Sequence, residues 1–202
     1  MKNKLNSLLL AVVAAAALAS LSACVPLVLG GAAVGTLMAA DRRTSGAQVE
    51  DEGIELRGAS RLREVFGDRA HINLTSYNRQ VLLTGEVANE QAKQQAEQVI
   101  MGVQNVKSIV NELAVMGSTS LVQRSSDVLV TGKVKASLVD ASDLYVISFK
   151  VVTERGVVHL MGRVTQREAD RATAIARQIP GVRRVVRIFE IISEDELKRL
   201  QR

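Results

Sequence analysis

An internal duplication constrains this chain more than any other feature. Val81-Leu82-Leu83-Thr84-Gly85-Glu86-Val87 recurs as Val158-His159-Leu160-Met161-Gly162-Arg163-Val164. Val, Leu, Gly and Val match at every second position, the period of a strand with one buried face. Ala92 and Ala169 each lie seven residues past the glycine in helical stretches, and Gly102-Val103-Gln104-Asn105-Val106 returns as Gly181-Val182-Arg183-Arg184-Val185. Ordered matches of this kind mean two copies of one unit.

Each copy reads as α-β-β-α-β. In the first, the spacing predicts a helix over 49–66, strands over 72–77 and 81–87 joined at Tyr77-Asn78-Arg79-Gln80, a helix over 89–101 capped by Asn89, and a last strand over 106–115. Gly102 is expected to supply the left-handed residue that ends the second helix. In the second copy the same elements fall at 126–139, 146–153, 157–164, 166–179 and 185–192, with a turn at Glu154-Arg155-Gly156. Gly85 and Gly162 interrupt strands, which marks a bulge or a closely packed helix. The close helix is the expectation, since Ala92 and Ala169 leave room for it. The fold class is therefore α+β, two tandem units, each a three-stranded mixed sheet with two helices on one face. A unit of about 70 residues buries only about 60% of its unfolded surface, so the copies are expected to lean on each other. Residues 116–123 read as a hinge or a short docked connection, and 193–202 as a charged tail, frayed or a short helix.

The start of the chain carries a different signal. Lys2 and Lys4 precede an apolar run from Leu8 to Leu21, which ends in Leu21-Ser22-Ala23-Cys24. A basic start followed by such a run is the mark of a secretory signal peptide, here residues 1–23. Small residues before the only cysteine resemble a bacterial lipobox, which makes Cys24 the lipidation site and 24–47 a lipidated N-terminal segment. The alternative is a free cysteine in an uncleaved membrane helix. Val25 to Ala40 is a second apolar stretch, short for a bilayer span once 1–23 are removed, and reads as a membrane-proximal segment near the acyl chains or packed on the folded part. One acyl chain anchors only marginally, whereas several anchor stably.

The Val-x-Leu-x-Gly-x-Val strands, the alanine-bearing helices and the Gly-Val-x-x-Val exits resemble the BON domain. A lipobox followed by two such units is similar to the dual-BON outer-membrane lipoproteins of Gram-negative bacteria, as is Asp41-Arg42-Arg43-Thr44 with Gln48-Val49-Glu50-Asp51. The resemblance implies BON units at 48–115 and 124–192, anchoring at the periplasmic face of the outer membrane (to which Val25 after the cysteine also points), no enzymatic activity and no cofactor. It further implies binding of anionic phospholipid through the second unit and support of outer-membrane integrity, with enrichment at division sites.

Charge gives an independent reading. Net charge over 202 residues is +5, but it is unevenly placed. Residues 48–115 carry seven Lys/Arg against ten Asp/Glu, and 124–192 carry twelve against seven. The basic copy suits an anionic surface; neutral drift of solvated charge is the alternative. On its first helix Val130, Val134 and Leu138 form the core stripe, which leaves Leu129 and Lys133 together on a neighbouring face. An exposed leucine beside a lysine suits a membrane interface, and contact with the first copy is the competing reading of Leu129. Arg124, Leu129, Lys133, Lys135 and Arg155 are the candidate phospholipid-binding residues, with phosphatidylglycerol or cardiolipin as the lipid. The alternative function is a protein-interaction adaptor for envelope-assembly, division or cell-wall remodelling proteins.

Catalytic chemistry has little to draw on. The only histidines, His71 and His159, lie in different copies, and no Cys/His metal spacing, nucleophile elbow or phosphate loop occurs. His159 alternates with Val158 and Leu160 and so belongs at the surface or an interface. Export and 2% aromatic content argue against nucleic acid as a partner.

Overall fold

Hydroxyl caps set where the long helices begin. In the computed structural model, which describes residues 41–117 and 120–200, the Thr44 hydroxyl accepts the Ala47 amide at 3.1 Å and starts α1 (Ser45–Phe66). Ser120 accepts the Gln123 amide in the same way and starts α3 (Leu121–Asp140). Both helices therefore begin several residues before the apolar spacing predicts, because a cap needs no apolar neighbour. Asn89 caps α2 (Glu90–Met101) as expected, and Thr165 with Glu168 forms a capping box on α4 (Gln166–Arg177). The signal peptide, Cys24 and 25–40 lie outside the described residues.

Strands β1 (His71–Tyr77) and β2 (Gln80–Val87) pair antiparallel, and β3 (Ser108–Asn111) and β4 (Ala114–Val115) both run parallel to β2. The second copy repeats this with β5 (Phe149–Glu154), β6 (Val157–Thr165) and β7 (Arg184–Ile192), in the order β5-β6-β7. Each sheet buries one face under its two helices. Val81, Leu83 and Val87 meet Ile54, Leu62 and Ile100 in the first copy, and Val158, Leu160 and Val164 meet Val134, Leu138 and Ala172 in the second. The two-fold alternation of the repeated motif is thus the alternation of core-facing side chains.

Four expectations are corrected. Gly102 has φ −77° and is right-handed; Asn105, at φ 67°, is the left-handed residue after α2. The expected strand over 106–115 breaks at Glu112-Leu113: the Glu112 amide still donates to the Leu83 carbonyl of β2, but the Asn111 side chain accepts the Leu113 amide and donates to the Lys93 carbonyl, which takes Leu113 off the ladder. Residues Val146–Ser148 form a 3-10 turn before β5 rather than strand. The strand glycines admit not a helix but the neighbouring strand: a Cβ on Gly85, at φ 111°, would lie 2.0 Å from the His71 carbonyl oxygen, and one on Gly162 would lie 2.5 Å from that of Ser148.

The hairpin turns are held by a device that periodicity does not reveal. Both turns use paired left-handed residues, Asn78-Arg79 and Arg155-Gly156. Buried Asp51 of α1 accepts the amides of Asn78 and Arg79, each at 2.7 Å. Buried Asp127 of α3 accepts those of Arg155 and Gly156 at 2.7 and 2.8 Å.

The helix-free faces of the sheets pack together within one compact unit. Tyr77, Leu82, Met161 and Ile188 are buried between them, with Val110, Val152 and Val186 at the margin. Burial of each large side chain is worth about 1.5–3 kcal/mol, which offsets the marginal stability of a single copy. Burial pushes the Tyr77 phenol up to about 12, so it stays protonated and donates to the Ser148 carbonyl. Met116 and Gly117 lead toward α3, whose first turn takes up 121–123, and a short helix, α5 (Glu194–Leu200), packs on β6.

Asp41-Arg42-Arg43 straps this seam. The buried Arg42 guanidinium grips both oxygens of buried Glu168 at 2.7 and 2.8 Å and donates to the Arg163 carbonyl, while Arg43 lies over the Tyr77 ring and pairs with Asp51. Burial alone would raise the Glu168 carboxyl, but the Arg42 guanidinium and the Thr165 amide hold it below the usual carboxylate range. Arg42→Ala leaves that charge buried without its partner and is expected to cost about 3 kcal/mol in denaturant unfolding at pH 7. Because the folded carboxyl is depressed, its contribution is present above pH 4.5, the ordinary value, and is lost as pH falls through the lower folded value. The gap between wild type and Arg42→Ala should therefore narrow below pH 4.5; an unchanged gap would contradict the ion pair.

Candidate functional site

The apolar spacing of α3 allows two opposed faces, and both are built. Asp127, Val130, Val134 and Leu138 point into the second copy. On the outward side Leu121, Val122, Val128, Leu129 and Val139 are all strongly exposed, with Gly132 between them and open space around it. At 100° per residue these six positions form one continuous stripe opposite the core. Five large aliphatic side chains on the solvent face of one helix are far from the usual charged exterior. Exposed Lys133 and Lys135 border the stripe on opposite sides and make no ion pair among the described residues. Leu129 is 66% exposed and does not pack on the first copy.

Arg124 lies in the first turn of α3, half-buried, with its Nε enclosed and unpartnered. It borders a cavity of about 260 Å³ shared by Asn73 of β1, Thr131 of α3 and Glu154 of β5. A cation in a helix's first turn opposes the macrodipole, so an anion there would be doubly favoured. Arg155 is placed differently from the other candidates. Asp127 pins its backbone, its Nε lies 3.9 Å from Glu86 Oε1, and its guanidinium contacts the Met116 sulfur. The turn thus directs Arg155 to the seam between the copies and away from the α3 stripe. The structure brings Leu129, Lys133 and Lys135 together on one helix, with Arg124 toward its start.

Sequence reasoning overlooked the length of the apolar stripe. Leu121, Val122, Val128 and Val139 were each readable as aliphatic, but a helix begun at 126 omits two of them, and only the Ser120 cap extends the face. His159 resolves to the interface: it is 2% exposed, 3.7 Å from Glu112 of the first copy. Among the described residues no cluster of three or more metal-ligating side chains occurs, and no helix is long and apolar enough to cross a membrane.

The comparisons fit this architecture. The BON domain family matches residues 48–117 and 126–192, one match per copy. The chain belongs to the BON domain family. The outer membrane lipoprotein DolP of Haemophilus influenzae is 36% identical over 174 residues, 85% of this chain and 90% of that protein. A 21 kDa hemolysin of Actinobacillus pleuropneumoniae is 32% identical over 75% of this chain and 79% of its own length. Osmotically-inducible protein Y of Escherichia coli is 32% identical over 56% of this chain and 58% of its own length. The fold is that of two tandem BON domains, and α3 is the first helix of the second.

Proposed function

We propose that this dual-BON chain is a non-enzymatic outer-membrane lipoprotein, acylated at Cys24 and held at the periplasmic face, whose second BON domain docks on anionic phospholipid through the outward face of α3. The observation that carries the reading is the exposed stripe Leu121, Val122, Val128, Leu129 and Val139 with Lys133 and Lys135 at its margins. Aliphatic side chains of such a helix enter the boundary between headgroups and acyl chains, and flanking ammonium groups meet phosphate. The charge division between the copies, twelve basic against seven acidic residues in the second, supports it. So does the likeness to a relative named as an outer membrane lipoprotein.

Each basic residue at an acidic leaflet contributes about 1 kcal/mol, screened by salt. Arg124, Lys133 and Lys135 together give about 3 kcal/mol, which suits reversible docking by a domain already tethered to the membrane. Durable residence is the task of the anchor; recognition of the leaflet, and with it a role in envelope integrity and at division sites, is that of α3.

Flotation of residues 41–202, without the anchor, on vesicles containing phosphatidylglycerol or cardiolipin tests this. Co-flotation is expected at low salt, should fall as salt rises, and should be weak on phosphatidylcholine alone. Absence of co-flotation at every salt concentration would contradict lipid docking and favour a protein-interaction adaptor.

A further inference from the structure

A second cavity, of about 250 Å³, opens at the seam on the other side of the Glu154-Arg155 turn from the one beside Arg124. Its wall combines Lys93 of α2, Glu112 from the break between β3 and β4, Glu154 and Arg155 of the turn, His159 of β6 and Arg184 of β7. His159 is 2% exposed; its polar neighbours are the Val152 backbone and Glu112, whose Oε2 stands 3.7 Å from Nε2, beyond hydrogen-bond distance. A buried imidazole held this loosely on a cavity wall has capacity to donate to an occupant. Three permanent cations face two carboxylates there. Arg184 binds Glu112 through one nitrogen at 2.5 Å, which leaves the rest of its fork for another acceptor, and Lys93 makes no ion pair among the described residues.

We propose that this seam cavity is a phosphate-binding site, in which Lys93, Arg184 and the His159 ring hold the oxyanion between the two BON domains, with Arg155, paired to Glu86, beside them. An arginine fork, a lysine point charge and an imidazole donor together match a tetrahedral group that accepts in several directions. The carboxylates are accommodated differently. Glu112 is held by Arg184, while burial, with Glu86 and Asp127 nearby, raises the Glu154 carboxyl above its ordinary value. Because the lining comes from both copies, the occupied site would couple occupancy to the packing of one domain on the other. The site is separate from the α3 stripe, so its fate does not depend on the lipid-docking reading.

Burial holds the His159 ring below its ordinary value, with Glu112 opposing that shift and Arg184 adding to it. A bound phosphate adds negative charge next to the ring and must raise that value.

The test uses residues 41–202, without the anchor, with sodium phosphate against sodium chloride at matched ionic strength. Phosphate should raise the thermal midpoint saturably, shift the His159 ring resonances and move their titration to higher pH. Lys93→Ala should weaken the saturable effect about tenfold, and Arg184→Gln provides a second variant. Soluble glycerophosphoglycerol gives the other arm: equal shifts at the same resonances assign the phosphate to a lipid headgroup, whereas a response to inorganic phosphate alone assigns it to the free ion. No saturable response beyond that of chloride, or an equal response in Lys93→Ala, would overturn the proposal and leave a solvent-filled cavity.

Discussion

Gly85→Ala is expected to lower the stability of the folded chain by about 3–4 kcal/mol. Two costs add. The backbone at φ 111° is strained for any L side chain, and the new Cβ would sit 2.0 Å from the His71 carbonyl oxygen. That atom is backbone and cannot swing aside, so β1 must part from β2 at the end of the hairpin. For a chain of this size about 3–4 kcal/mol corresponds to a fall of about 10 °C in the thermal midpoint. Gly132→Ala is the contrast. No atom lies near its added Cβ, and it sits within a helix, so the same methyl should raise stability by about 1 kcal/mol. Calorimetry on both variants checks the pair, and a Gly85→Ala midpoint within 2 °C of wild type (about 1 kcal/mol or less) would refute the steric account.

Leu129→Asp with Lys133→Glu should weaken binding to phosphatidylglycerol vesicles at least 100-fold while leaving the fold intact. Removing the leucine from the headgroup boundary forfeits about 1.5–3 kcal/mol, and losing the lysine about 1 kcal/mol. Two new negative charges then oppose the leaflet, and about 2.7 kcal/mol already corresponds to 100-fold. Both side chains are exposed and meet no core residue, so unfolding should stay within about 0.5 kcal/mol of wild type. Unchanged vesicle binding would exclude this face of α3. Replacing Arg155 with glutamine should disturb vesicle binding less, since its guanidinium turns toward Glu86 and Met116.

The sequence carried the architecture because the repeat shows twice which residues must be buried. Val81, Leu83 and Val87, with Val158, Leu160 and Val164, declare a strand and its core face without further help, and Asn89 and the helical alanines declare the helix that packs over it. Legibility failed where a side chain overrides the local pattern. Asn111 breaks a strand that Ile109, Val110, Leu113 and Val115 would otherwise continue, and Ser120 prolongs a helix that its apolar spacing begins later. The strand glycines were recognisable as close contacts, but the partner was not: a carbonyl on the adjacent strand has no signature in the residues around Gly85. Asp51 and Asp127 recur at matching places and were open to discovery by aligning the copies, yet an acidic residue on a helix reads as solvated until the turn it holds is known. At the candidate site, Leu129 and Lys133 were legible from helical geometry. The direction of Arg155 was not legible, because a turn residue looks exposed until Asp127 fixes how it leaves the backbone.

The central claim is that the outward face of α3 touches the bilayer. Paramagnetic broadening of backbone amides by spin-labelled phospholipid, in phosphatidylglycerol-containing nanodiscs, reads that contact residue by residue. The account predicts the strongest attenuation at Leu121, Val122, Val128, Leu129, Gly132 and Lys133, with α1 and α2 of the first copy unaffected. Attenuation centred on the first copy, or none above that caused by a spin label free in solution, would contradict it.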